Sequence, residues 1–266
     1  MMITNKVENG QKKRNAFVAY DDYGRLIGKA QISQMLIPEI SPQVPLEIRL
    51  SIRSGQESML NLCSASLARG LELAAKHPEY KARLCAEYDP RDRYITQTLH
   101  ELCFNEEDSV VRMTKKVSHL PVGRHQPEGC IFHSDRLESD AEQEFFMQRS
   151  SRLFGSQNPQ AWLKNARRMD NFKRLMLING DGLAGELVCW TNGKNGIIAR
   201  VYTNPDCRLQ GGASYLMEMA RLYFAHCSAS VMIYDLRSSM KPAAALAYSL
   251  GFLKTDVLEN MLIMNI

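Results

Sequence analysis

Between Asn15 and Ile32 the chain reads NAFVAYDDYGRLIGKAQI, two apolar runs joined by Asp-Asp-Tyr-Gly, a pattern that predicts a β-hairpin. Residues 174 to 190, RLMLINGDGLAGELVCW, repeat it. In both, a turn glycine (Gly24, Gly182) is followed by a leucine and then by a second glycine entering the next strand (Gly28, Gly185). Further along, LEIRLSI (46 to 52) answers GIIARVY (196 to 202), and amphipathic helical patterns follow at 58 to 76 and 212 to 227. ARLCAEYDP (82 to 90) and SVMIYDL (230 to 236) read as buried strands. Then come helices ending in HELCF (100 to 104) and YSLGF (248 to 252), and last the strands SVVRMTKKV and ENMLIMNI.

The offset between matching positions is 148 residues from Leu84 to Met232 and from Phe104 to Phe252, and 157 from Gly28 to Gly185. The difference falls in the stretch 33 to 46, punctuated by Pro38, Pro42 and Pro45, where a longer loop costs little. A repeat of this length predicts two copies of one α/β (α+β) domain, each a mixed β-sheet flanked by helices, rather than a solenoid. Coincidence of two ordinary β-β-α-β-α-β patterns is the alternative. The polar stretch VSHLPVGRHQPEG (117 to 129) marks the boundary, giving domains 1–125 and 126–266. Only the second has an insertion before its hairpin. There Ser139 and Glu142 form a capping box ahead of a helix closed by Gly155, and Asn158-Pro159 starts another helix through Arg168.

Composition narrows the function classes. A length of 266 residues, 45% hydrophobic and 23% charged, is ordinary for a globular protein. The net charge of +4, with no basic block beyond Lys12, Lys13 and Arg14, argues against nucleic acid as partner. Seven cysteines without a CxxC pair argue against a disulfide framework and for a reducing compartment. No secretory h-region or membrane-length apolar run stands out, so a cytoplasmic protein without a membrane partner is expected. His119, His125, Cys130 and His133 include a Cys-x-x-His spacing but no second tight pair, so no metal is expected. Cys207, ahead of a helix start, reads as a small residue or a thiolate favoured by that helix.

The chemistry lies in VYTNPDCRLQGGASYLMEMA, 201 to 220. It lacks the Lys-Ser or Lys-Thr of a Walker loop and the third glycine of a dinucleotide fingerprint. Pro205 stops the strand, and Gly211 and Gly212 remove side chains where the backbone turns into the helix. Amides of the loop and first helical turn then converge on one point at the positive helix end, which suits a pyrophosphate. Arg208-Leu209-Gln210-Gly211-Gly212-Ala213, between strand and helix, resembles the acyl-CoA-binding motif [RQ]-x-x-G-x-[GA] of the GNAT acyltransferase superfamily. A second landmark, residues 240 to 252, keeps the Ala, Leu, Gly and Phe of the family's N-x-x-A-x-x-L-Y-x-x-x-G-F helix but lacks its Asn and Tyr. The resemblance covers roughly 130 to 266; the first half follows only by pattern.

The resemblance implies tandem GNAT-like domains and transfer of an acetyl group from acetyl-CoA to a primary amine by direct attack. The pyrophosphate would be held by Arg208, Leu209, Gln210, Gly211, Gly212, Ala213 and Ser214. The pantetheine arm would pair with Val201 and Thr203, and an N–H near Val201 or Tyr202 would polarise the thioester. The family's helical tyrosine aligns with Ala247, leaving Tyr248 one step, about 100°, round the helix as candidate acid. Glu186 and Asp235 are the candidate bases, with a water chain as competitor. Phe145, Phe146, Trp162 and Trp190 either hold a cationic amine or form core. The matching first-half loop, Arg53 to Ser58, puts Glu57 where phosphate would go, so one coenzyme site is expected, the degenerate copy packing beside it. The acceptor, a small-molecule or protein amine, the acyl length beyond acetyl and the state, monomer or homodimer, stay open. So do two other readings, a non-catalytic CoA-binding sensor or scaffold and a tRNA-dependent aminoacyl or peptidyl transferase.

Overall fold

The structure is a computed structural model describing the chain except residues 9–10, 39–40, 90, 92, 121–122 and 155–157. Gly155 as a helix close, and Pro121 in the polar stretch, therefore lie outside the described residues. The fold is mixed α/β, in two compact units. One comprises Met1–Val110, Arg149–Gln157 and Val257–Ile266; the other comprises Val111–Gln148 and Asn158–Asp256. A cut at 125/126 differs from these units chiefly in the closing strands of the two halves, because ENMLIMNI belongs to the first unit and most of SVVRMTKKV to the second.

The first unit holds β1 (Met2–Glu8), β2 (Gln11–Tyr20), β3 (Leu26–Leu36), β4 (Leu46–Ser54), α1 (Gln56–Ala74), β5 (Ala82–Tyr88), α2 (Arg93–Glu101) and the start of β6 (Glu106–Lys116). Its strands are antiparallel from β1 to β4, and β4 and β5 run parallel from Leu46↔Ala82 to Ser51↔Glu87. The chain's last strand, from Asn260↔Tyr88 to Asn265↔Arg83, closes it antiparallel to β5. Every second residue of β4 and β5 faces α1, so Ile48, Leu50, Ile52, Leu84 and Ala86 form a core with Met59 and Leu62.

The second unit holds β7 (Ile131–Asp135), α3 (Asp140–Phe154, its last turns in the other unit), α4 (Pro159–Ala166), β8 (Asp170–Asn179), β9 (Gly182–Asn192) and β10 (Asn195–Thr203). It continues through the 3₁₀ turn Pro205–Cys207, α5 (Gly212–His226), β11 (Val231–Arg237), α6 (Lys241–Ser249) and the start of β12 (Leu253–Asn265). The strand order is β6-β11-β10-β9-β8-β7. The capping box forms, with Ser139 Oγ accepting from Glu142 N at 3.2 Å and donating to Glu142 Oε2 at 2.8 Å. Asn158 Oδ1 accepts from Ala161 N at 2.8 Å and caps α4.

Two apolar layers sandwich this sheet. On one face Leu216, Met217, Ala220 and Phe224 of α5 pack with Leu187, Cys189 and Ile198; on the other Phe146, Leu163 and Ala166 pack with Phe172 and Val188. α5 crosses β10 at Gly196, where an added Cβ would lie 2.4 to 2.6 Å from three carbons of the Phe224 ring. Gly196→Ala is therefore expected to overpack the core by about 1 to 3 kcal/mol. Calorimetry should show a melting temperature lower by about 5 °C; an unchanged one would mean that the ring moves aside freely.

Candidate functional site

β10 changes character halfway along. It pairs in parallel with β11 from Asn195↔Val231 to Ile198↔Tyr234, and the pairing ends there. A bulge follows between Ile198 and Arg200, after which Arg200 to Thr203 continue opposite Val188 to Gly185 of β9. The bulge turns the strand, and Val201, Tyr202 and Thr203 are only half-buried. On the β11 side the strand thus opens a gap with backbone along its wall.

The gap leads to the glycine loop. Asn204 N donates to Ala184 O at 2.9 Å, and Asn204 Oδ1 receives the Asp206 amide at 3.3 Å to start the 3₁₀ turn. Leu209 then adopts φ 63° and Gly211 φ 83°, the left-handed region that glycine enters without strain. Gly211 O takes the Tyr215 amide at 2.9 Å, and α5 begins. Among the described residues no hydrogen bond uses the amides from Leu209 to Ser214. These donors end at the positive pole of a fifteen-residue helix. Gly212 is buried; a Cβ there would meet Leu177 Cδ1 at 3.4 Å and Pro127 Cγ at 4.0 Å. Pro127, Cys130, Leu177, Thr203, Cys207 and Gly212 line a hollow beside it. Pro127 belongs to the polar stretch, which Arg221 of α5 holds by donating to Ser118 O and, at 2.8 Å, to Leu120 O. The loop and strand thus fit a linear, anionic coenzyme of the CoA kind: open amides for phosphate, a side-chain-free bend and an open strand for the arm.

The first unit has the same plan without the loop. Gly55 N donates to Ile27 O at 3.1 Å, as Asn204 N does to Ala184 O, but α1 starts at the very next residue, Gln56. No residues remain to build a cradle. Ser54 Oγ and Ser58 Oγ bond each other at 2.6 Å across the corner, and β4 stays in register with β5 for six pairs without a bulge.

The residues proposed for proton transfer are dispersed. Tyr248 is 56% exposed on α6, whereas Ala247 is fully buried in the core. Asp235 is held by Arg112 through Nε at 2.9 Å and Nη2 at 2.8 Å. Glu186 lies opposite Tyr202 on β9, 4% exposed, with Oε2 receiving Arg174 Nε at 2.7 Å. Arg174 also donates to Asp135 Oδ2 at 3.3 Å. The aromatic group is mostly core: Phe146 stacks near Trp162 at 6.0 Å, and Trp162 tilts against Trp190 at 6.2 Å. Phe145, by contrast, is 63% exposed.

Sequence pattern alone does not single out Arg174 and Arg200. Register sets them on either side of Val188 in one row across β8, β9 and β10. The Arg200 guanidinium lies 3.6 Å from the centre of the Trp162 ring, and that of Arg174 5.9 Å from Phe146. Burial pulls Arg200 down to about 10, with Glu186 acting against it. The available signal was a charged residue inside an apolar strand, as in RLMLI and IIARV.

Cys207 is half-buried and its Sγ receives Asn179 Nδ2 at 3.6 Å. Burial, aided by Cys207 nearby, pushes the Cys130 thiol up. Among the described residues, no three His, Cys, Asp or Glu side chains gather as a metal would require, and no helix is long and apolar enough to cross a membrane.

No protein-family model and no curated protein matches the sequence. Solved structures do. A GCN5-related N-acetyltransferase from Sphaerobacter thermophilus superposes with a TM-score of 0.59 at 12% identity, over 97% of this chain and 82% of that one. A tandem GNAT protein from the clavulanic acid biosynthesis pathway gives 0.51 at 13%, over 94% and 82%. A probable N-acyltransferase of unknown function from Enterococcus faecalis V583 gives 0.54 at 11%, over 94% of this chain and 61% of its own. At such identities the likeness is one of fold.

Proposed function

We propose, from the premise that this chain has the fold of the GCN5-related N-acetyltransferases, that its second unit is an N-acetyltransferase using acetyl-CoA and a primary amine. The observation that carries this reading is the run of open amides from Leu209 to Ser214, at the end of a strand that parts from its neighbour after Ile198. Bound there, the thioester supplies an activated carbonyl: the amine nitrogen bonds to its carbon as the C–S bond breaks, one proton leaving the amine and one reaching the sulfur.

The chain's own groups then have separate tasks. The loop amides and Arg208 hold diphosphate, and the backbone of Val201 and Thr203 aligns the arm. An amide at Val201 or Tyr202 faces the carbonyl oxygen, and one preorganised donor of this kind lowers the barrier by about 3 kcal/mol. Water at the half-exposed end of β10 takes the amine's proton, because Glu186 and Asp235 are each engaged by an arginine. Tyr248 is the hydroxyl proposed to return a proton to sulfur. The first unit, lacking the loop, takes no coenzyme.

Native mass spectrometry of the purified protein is expected to show one CoA per chain. Two per chain would overturn the one-site assignment, and none after saturation with CoA would overturn the whole. A second reading, a CoA-binding sensor without turnover, draws on the outward Tyr248 and the buried Ala247. It requires CoA binding with no acetyl transfer to a broad amine panel, the outcome that separates the two.

A further inference from the structure

Two of the seven cysteines meet beside the glycine loop. Phe132 of β7 pairs with Leu177 of β8 and Ile131 with Ile178, so one step further back the same register brings Cys130 level with Asn179. Cβ atoms that face each other across antiparallel strands stand about 5 Å apart. Asn179 Nδ2 in turn donates to Cys207 Sγ at 3.6 Å. Both cysteines pack against the α5 core, as Phe132 does, so both lie on the same face of the sheet. The hollow that they line together is about 10 Å³, room for no more than one water.

Their surroundings suit reversible oxidation. Both thiols are half-buried and within reach of a small oxidant, whereas Cys63, Cys85 and Cys189 are buried. Neither sits in an α-helix or a sheet ladder: Cys130 precedes β7, its amide closing a turn to Pro127 O at 3.2 Å, and Cys207 ends the 3₁₀ turn. Small movements of these two segments carry their Cβ atoms to the roughly 3.8 Å that a disulfide requires. Cys207 Sγ already accepts the Asn179 hydrogen, and burial pushes Cys130 up, so Cys207 attacks first. Its thiolate bonds to one sulfur of a low-molecular-weight disulfide such as oxidised glutathione, whose S–S bond breaks and releases one glutathione thiol. Cys130 then bonds to Cys207 Sγ and expels the second. Two protein thiols are thereby oxidised to one disulfide, the oxidant is reduced to two thiols, and the two cysteine protons end on those.

We propose that Cys130 and Cys207 are an oxidation site, closed reversibly to a disulfide by a low-molecular-weight disulfide, and that this bond gates the coenzyme loop. The bond collapses a hollow that Gly212 also lines and pulls the end of the 3₁₀ turn toward β7. The next residues along the chain, Arg208 and Leu209, begin the diphosphate cradle and are drawn out of place with it. The gating rests on the acetyl-transfer reading above, which assigns that cradle its ligand.

The native protein should be equilibrated in glutathione buffers of graded reduced-to-oxidised ratio. Peptide mapping without reductant is expected to recover one bridge, Cys130 to Cys207, that dithiothreitol removes. Calorimetry should then show desulfo-CoA, a coenzyme analogue without a thiol of its own, binding about tenfold more weakly to the bridged form. By reciprocity, saturating analogue should shift the half-bridging ratio about tenfold toward more oxidising buffers. Cys130→Ser and Cys207→Ser should each abolish the difference between oxidised and reduced samples. No such bridge, a bridge with undiminished affinity, or a serine variant that still loses affinity on oxidation overturns the inference. The first two are read on the native protein, so a poorly folding variant does not shield it, and desulfo-CoA bound by the reduced protein leaves the acetyl-transfer reading standing in each case. A bridge in a protein whose reduced form does not bind the analogue sinks that reading instead, and the gating with it, and leaves the pair as an oxidation site.

Discussion

Gly212→Asp is expected to weaken CoA binding by at least about 100-fold, close to 3 kcal/mol, while the protein stays folded. Folding survives because a Cβ at Gly212 meets only Leu177 Cδ1 at 3.4 Å and Pro127 Cγ at 4.0 Å, contacts that a small shift accommodates. The new carboxylate stands in the first turn of α5, where negative charge is favourable and the amides of Ala213 and Ser214 need an acceptor. It thereby takes the donors that diphosphate would use and adds repulsion of about 4 kcal/mol for unit charges 4 Å apart at an effective dielectric near 20. Gly212→Ala, with the same Cβ and no charge, should cost far less. Titration calorimetry with CoA, alongside far-ultraviolet circular dichroism, decides it. Equal affinity in the aspartate variant would remove the loop from the account of this protein.

The readable parts of the sequence were those in which local backbone demands choose the residue. Gly24 and Gly182 take φ 76° and 112° in the two hairpin turns, and Gly211 takes 83° at the helix entry, so their spacing carried the duplicated plan and the loop. The capping box and the Asn158 cap were equally local. One step of 100° round α6 put Ala247 in the core and Tyr248 outside. Long-range pairing was not readable. ENMLIMNI has the same alternation whether it closes the second half or, as found, pairs with β5. β7 is five residues long with its ends half-buried or exposed, too short and polar to stand out from the stretch before it. The row formed by Arg174, Val188 and Arg200 exists only once three strands are in register, so no spacing along the chain announces it.

Removing the guanidinium from that row is expected to be the most destabilising single change in the second unit. In Arg174→Met the apolar stem still fills its place, but the buried Glu186 loses a 2.7 Å charged bond and Asp135 loses its 3.3 Å partner. Breaking one side of a buried ion pair costs up to about 3 to 5 kcal/mol, because the remaining charge stays out of water with less to compensate it. Chemical denaturation should show that loss as a lower midpoint with an unchanged slope. Arg174→Met with Glu186→Leu should recover most of it, since replacing both charges by apolar groups of similar volume is close to neutral and Asp135, at the more open edge, can rehydrate. A single variant as stable as the native protein would mean that water already reaches the pair. A double variant no better than the single one would put the cost in packing against Phe146, 5.9 Å away, rather than in charge.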